Sequence, residues 1–352
     1  MKKPWYNRIL LLIFFPALLA ICVCCNKASG NNNNPNPPAD TVAFAKGADI
    51  GWLSQMESAG IKFYDNSGNQ KDCIELLKSK GINSIRLRVW VNPTAGWCNA
   101  ADVVKQAARA KKLGMRIMID FHYSDWWADP GKQNKPAAWK DLSFTDLLTA
   151  VSAHTKDVLQ QLKAAGVTPE WVQVGNETND GMLWEDGRAS KSMANFTQLV
   201  NAGYDGVKSI FPSAKVIVHL ANGWDNSLFR WMFDGLKNNG GKFDVIGMSL
   251  YPTWAGTDWA TANQNCLNNM NDMVGRYNKE VMIVEVGMAW DNAAACKNFL
   301  TDLITKAKSV AGKKCLGVLY WEPQSYNNWQ GYTLGAFDNS GKPTAAMDAF
   351  KD

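Results

Sequence analysis

Two apolar runs end in a carboxylate where a packed interior would be expected to continue. "WVQVGNE" closes on Glu177 with Asn176 beside it, and "EVMIVEVG" carries Glu285. A pair of glutamates facing one cleft is what glycoside hydrolysis requires: one protonates the leaving oxygen, the other attacks or directs water. One strand-end glutamate alone reads equally well as a salt bridge or a loop tie. Two, each in an otherwise apolar strand, favour catalysis. Other chemistries lack their parts. No G-x-S-x-G elbow is present for a serine nucleophile, and no glycine-rich cradle for phosphate. Three histidines, His122, His154 and His219, are too few for a metal hydrolase centre. His154 falls inside a helical run and reads as a surface residue.

These side chains need a frame. β-type runs occur at 42–50, 84–91, 115–123, 171–177, 215–221, 243–251, 280–287 and 316–323, alternating with helix-type runs such as "FTDLLTAVSAHTKDVLQQLKAAG". Eight such units in about 310 residues predict an α/β fold, a closed (β/α)8 TIM barrel forming a single catalytic domain over 42–352. A doubly wound open sheet is the alternative, but it needs no polar load at every strand end. Here nearly every run ends in one: Asp49, Arg86 with Arg88, Asp120 with His122, Asn176 with Glu177, His219 with Asn222, Tyr251, Glu285 and Glu322. In such a barrel the strand bodies are core and their C-terminal ends carry the chemistry.

Tryptophans add a second signal. Trp52, Trp90, Trp126, Trp127, Trp184, Trp224, Trp254, Trp290, Trp321 and Trp329 stand at or just after the eight strand ends. Flat apolar indoles suit the C–H faces of sugar rings. About half are expected to pack loops instead, which still leaves an aromatic cleft.

The first 25 residues are read separately. Lys2, Lys3 and Arg8 precede an apolar run that ends in cysteines, a pattern that resembles a bacterial lipoprotein signal. Cys22, Cys24 and Cys25 all remain candidates for the lipidated residue. Residues 26–41, rich in Asn and Pro, read as a disordered tether. An exported lipoprotein anchored in the outer membrane follows as the expectation, facing either the cell surface or the periplasm and meeting the membrane only through its lipid. Cys73, Cys98, Cys266, Cys296 and Cys315 remain, with no CxxC pair and no pairing implied. The formal charge of +5 falls partly on the signal and no basic cluster stands out elsewhere, so no nucleic-acid partner is expected.

The longer motifs "GADIGWLSQME", "GINSIRLRVWVNP", "MIDFHYSDWWADPGKQNKPAAW", "WVQVGNETNDGMLW", "IGMSLYPTW", "IVEVG" and "GVLYWEP" together resemble glycoside hydrolase family 53, the endo-β-1,4-galactanases of the clan A barrels. The resemblance covers nearly all of 43–352. It implies a monomeric, retaining, endo-acting enzyme on β-1,4-galactan and type I arabinogalactan. It makes Glu177 the general acid/base, Glu285 the nucleophile and Asn176 the partner of the sugar 2-OH, with Arg86 and Tyr251 orienting Glu285. Arg88 shares the face of Arg86 by alternation. Asp49, His122 and Asp125 are plausible cleft residues, Trp90, Trp126, Trp321 and Trp329 are stacking candidates, and Glu322 is a substrate or loop partner without a chemical step. No cofactor is required. Some family members hold calcium after the seventh and eighth strands, but "MAWDNAAACK" and "QSYNNWQGYTLGAFDNSG" lack a dense acidic set, so no metal ligands are expected. Two competing readings remain: a clan A enzyme for mannan or cellulose, and a non-catalytic glycan-binding lipoprotein.

Overall fold

The computed structural model describes residues 43–351. The expected signal (1–25) and tether (26–41) lie outside them. Among the described residues, eight parallel strands close a barrel: β1 (Ala45–Asp49), β2 (Ser84–Val89), β3 (Arg116–Phe121), β4 (Trp171–Val174), β5 (Lys215–Leu220), β6 (Val245–Leu250), β7 (Glu280–Val286) and β8 (Cys315–Tyr320). Every neighbouring pair is sequential, and β8 returns to β1. The expected TIM barrel is therefore the observed fold. Each strand overlies its run from sequence, starting up to three residues later or, for β8, one earlier, and every one stops one to three residues short at the C-terminal end.

Helices α1 (Leu53–Ser58) and α2 (Cys73–Ser79) follow β1. They are succeeded, one per connection, by α3 (Ala100–Lys112), α4 (Phe144–Ala164), α5 (Met193–Ile210), α6 (Asn226–Asn238), α7 (Trp259–Tyr277) and α8 (Ala293–Ser309). From α2 to α7 each helix starts on a short polar side chain that accepts a first-turn N–H: Asp72, Asn99, Ser143, Ser192, Asp225 and Asp258. After β8 a 3-10 turn (Ala345–Phe350) packs on α8 where a full helix would complete the pattern. The Gly-, Asn- and Pro-containing stretch before it has no helical periodicity.

Alternation sorts the strand residues into two cores. Val172, Val174, Val218, Ile246 and Ile283 pack outward under the helices. Met118, Trp171, Ile217, Val245, Met282, Val284 and Leu319 fill the barrel axis. Leu319 reaches the axis because Gly47 faces it: a Cβ there would lie 2.3 Å from Leu319 Cγ. Gly47→Ala should therefore destabilise the fold by about 1–3 kcal/mol through overpacking, read as a lower urea midpoint with unchanged m-value.

β7 breaks the alternation. Met248 of β6 pairs with Ile283, but Ser249 pairs with Glu285, and β8 skips a residue at the same place. This bulge lets Val284 and Glu285 both face the barrel interior while Val286 returns to the outer core. Strict alternation would have put Glu285 on the side of Ile283, under the helices.

Candidate active site

Above the apolar plug, Arg86 organises the C-terminal mouth. It is wholly buried, and its guanidinium donates from Nη1 to Asp49 Oδ1 (2.8 Å) and Glu285 Oε1 (2.8 Å). From Nη2 it reaches Asp120 (2.9 Å), Gln173 Oε1 (3.0 Å) and Asn176 Oδ1 (3.0 Å). One side chain from β2 thus ties β1, β3, the end of β4 and β7. Burial acts against its charge, but Asp120, Asp49 and Glu285 outweigh it and hold the pKa above the ordinary arginine value. Burial also pushes the Asp49 carboxyl well above the usual carboxylate range, against the pull of Arg86.

Glu285 is held at both oxygens. Tyr251 Oη, just past β6, donates to Oε2 at 3.1 Å while Arg86 holds Oε1. Burial raises its pKa; Arg86 opposes that rise. Glu177 lies in a different setting. It has no cation in hydrogen-bond contact, and burial, then the charge of Glu285, push it up to about 8. Its carboxyl accepts from Ser249 Oγ at 2.6 Å. Glu285 therefore ionises first, leaving Glu177 protonated near neutral pH: two carboxylates with opposite duties set by their surroundings.

The turn that presents Glu177 is conformationally demanding. Gly175 has φ 80°, and a Cβ there would lie 2.6 Å from Thr178 Cγ2. Glu177 itself is left-handed at φ 45°, a conformation that costs on the order of 1 kcal/mol outside glycine. Asn176 is pinned by Arg86 at Oδ1 and donates from Nδ2 to Ala128 O at 2.8 Å. Its second N–H is left for the cleft.

Both glutamates line one cleft of about 240 Å³ together with His122, Trp127, Ala128, Asp129, Asn176, Tyr251, Trp254, Trp321 and Tyr332. It runs on in two directions. Through Trp127, Trp321 and Tyr332 it joins a 390 Å³ hollow that also borders Trp97 and Trp126. Past Glu177, Tyr251 and Trp254 it joins a 360 Å³ hollow bordered by Asn222 and Trp224. Trp126 and Trp254 are 55% and 62% exposed, open faces on either side.

Several residues read as cleft-facing do not reach it. Glu322 is fully buried; it pairs with Arg88, accepts from Trp52 N–H at 3.2 Å and from Gln324 Nε2 at 2.5 Å, and has no oxygen left for a sugar. It is a loop partner. Arg88 is buried with it, its guanidinium 4.4 Å from the centroid of Trp127 and 5.3 Å from that of Trp52. Asp49 lies beneath Glu285 on Arg86. Asp125 ties two loops, accepting from Asn92 N–H and Ala137 N–H at 2.9 Å each. Trp90 is largely covered by Trp126, centroids 4.8 Å apart, but with Arg88 it still borders the 390 Å³ hollow, while Trp329 packs on the outer core. Trp126 and Trp321 remain as stacking faces. His154 is half-buried rather than fully exposed: it packs against Phe121, Tyr123 and Trp139, and burial lowers its pKa to about 4.

Other residues were missed. Gln173, Ser249 and the paired role of His219 follow from counting inward every second residue from Trp171, Val245 and Ile217, a count that the apolar look of those strands obscured. Tyr332 and Asp129 come from loops, for which no periodicity exists. Among the described residues no group of three or more His, Cys, Asp or Glu side chains is arranged to hold a metal ion.

Glycoside hydrolysis is the chemistry for which this mouth has both an acid and a charged partner, and the class that fold and site define is a barrel glycosidase. The family model "Glycosyl hydrolase family 53" matches residues 45–350. The chain belongs to that family. It is 35% identical to the probable arabinogalactan endo-β-1,4-galactanase A of Neosartorya fischeri, over 80% of this chain and 85% of that one. It is 34% identical to the arabinogalactan endo-β-1,4-galactanase of Cellvibrio japonicus over 81% of each. Among solved structures it superposes on a family 53 catalytic domain from Ignisphaera aggregans with TM-score 0.80 and 32% identity, covering 90% of this chain and 98% of that one. Against a fungal β-1,4-galactanase the TM-score is 0.81 at 30% identity, covering 88% and 99%.

Proposed function

We propose that this protein is a retaining endo-β-1,4-galactanase, acting on galactan and type I arabinogalactan, with Glu177 as acid/base and Glu285 as nucleophile. The observation that carries the mechanism is the contrast between the two carboxylates: Glu285 anchored by Arg86 and Tyr251, and Glu177 half-buried in the cleft wall without a cation, its pKa raised to about 8. Ser249 stands between them, paired in register with Glu285 and hydrogen-bonded to Glu177. Retention follows from the family and requires the two carboxyl groups about 5–5.5 Å apart.

In the first step Glu285 attacks the anomeric carbon while Glu177 protonates the departing oxygen, and the free N–H of Asn176 donates to the 2-OH. Once the glycosyl-enzyme has formed, the charge of Glu285 is gone, the pKa of Glu177 falls, and its carboxylate takes a proton from water. A cleft that continues on both sides of the pair supports internal cutting. The substrate follows from the named relatives. Export as a lipoprotein lipidated at Cys22, Cys24 or Cys25 and anchored in the outer membrane is part of the same reading and rests on the N-terminal motif alone; working as a monomer rests on the family resemblance.

The test is product analysis on linear β-1,4-galactan, with mannan and carboxymethyl cellulose in parallel. Rapid viscosity loss and oligosaccharides of retained β-configuration from galactan alone are expected. Cutting of another polymer would overturn the substrate, and binding without release would favour a glycan-binding protein. The basic limb of kcat/KM should fall near pH 8, because activity is lost as rising pH removes the Glu177 proton.

A further inference from the structure

We propose that Ser249 and His219 are positioning residues for the acid/base, closing a circuit of hydrogen bonds that decides which oxygen of Glu177 carries the proton. The proposal rests on Glu177 being the acid.

The circuit begins and ends on the same residue. Glu177 N–H lies 3.3 Å from His219 Nδ1. A backbone N–H only donates; the other neighbour of Nδ1, Asn176 Oδ1 at 3.1 Å, only accepts but is already supplied by Arg86, so the circuit takes Nδ1 as acceptor with the ring proton on Nε2. His219 Nε2–H then donates to Ser249 Oγ at 2.8 Å. The serine hydrogen is left to donate to Glu177 Oε1 at 2.6 Å. His219 is fully buried, which pushes its pKa well below the ordinary value and keeps the ring neutral, as the circuit needs.

Two consequences follow. Oε1 is kept as an acceptor, so the acidic proton of Glu177 resides on Oε2, the oxygen left for the glycosidic bond. After proton transfer the hydroxyl, itself polarised by the imidazole, stabilises the carboxylate that must act as base. The Ser249 hydrogen bond favours the ionised form of Glu177, and burial and Glu285 favour the neutral one. The serine thus keeps the acid from becoming too weak to give up its proton. The charged or titratable groups facing Glu177 are Glu285 on β7, Arg86 on β2, Asp129 after β3, Tyr251 after β6 and neutral His219 on β5. Ser249→Ala changes none of them.

The experiment is the pH dependence of kcat/KM on β-1,4-galactan for the wild type, Ser249→Ala, Ser249→Thr and His219→Asn, each first checked for a cooperative thermal transition. Removing a bond that favours the ionised form raises the pKa, so the basic limb of Ser249→Ala should move up by about one pH unit. Its rate at the optimum should fall roughly tenfold as the proton loses its assigned oxygen. Ser249→Thr keeps the hydroxyl and should return the limb to the wild-type position. His219→Asn, in which Oδ1 still accepts from Glu177 N–H but no donor reaches Ser249, should shift it less, in the same direction; this variant decides the question if Ser249→Ala does not fold. A lower rate with an unmoved limb would overturn the proposal and leave Ser249 a packing residue. Glu177→Gln is the separate arm: retained activity on galactan would remove the acid assignment itself, and this proposal with it.

Discussion

Glu285→Ala should abolish galactan cleavage, lowering kcat/KM by about 10⁴-fold or more, because the covalent step loses its nucleophile and nothing else in the cleft replaces it. The nearest carboxyls are committed elsewhere. Asp49 and Asp120 sit on Arg86, and Glu322 is buried with Arg88. On an aryl galactoside with a good leaving group, added azide should restore part of the rate and yield a product of inverted configuration. Glu177→Gln separates the two roles. It should be nearly as damaging on galactan, yet far milder for the first step on that activated substrate, which needs no proton from the enzyme. Equal losses for both variants on both substrates would reject the division of labour.

Arg86→Met should be the most destabilising single change at the mouth, by about 3–5 kcal/mol in urea unfolding at neutral pH, with no measurable activity. Removing the guanidinium leaves Asp120 and Glu285 buried without their cation and leaves Gln173 Oε1 and Asn176 Oδ1 without their donor. The loss should shrink as pH falls, since protonation neutralises the stranded carboxyls. A simple packing defect would not respond to pH. Arg86→Lys should fare little better, because one ammonium cannot reproduce five hydrogen bonds in a planar fork.

The barrel was legible in the sequence because eight apolar runs ending in polar residues leave little choice of architecture. Glu177 and Glu285 were legible because each stands at the end of such a run. What escaped were features that strand position does not encode. The bulge at Val284 and Glu285 reverses the facing of Glu285, and no residue type announces it. Depth was equally hidden: Asp49 and Glu322 occupy strand ends as expected, yet lie buried beneath the cleft. His154 looked exposed on a helical run because the aromatic side chains that cover it come from β3 and the following loops. Ser249 and Gln173 gave no signal by composition, and only their inward parity marks them.

Five cysteines remain to be considered, Cys73, Cys98, Cys266, Cys296 and Cys315, all buried and none bonded to another. Burial pushes the Cys98 thiol up to about 11 and those of Cys296 and Cys315 to about 12, so the nucleophilic thiolate is scarce at any ordinary pH. Oxidants and glutathione have little purchase on this barrel. Its stability carries no redox dependence, and folding of the described domain does not await an oxidase or a disulfide isomerase. The described barrel would hold its shape equally in a reducing or an oxidising medium.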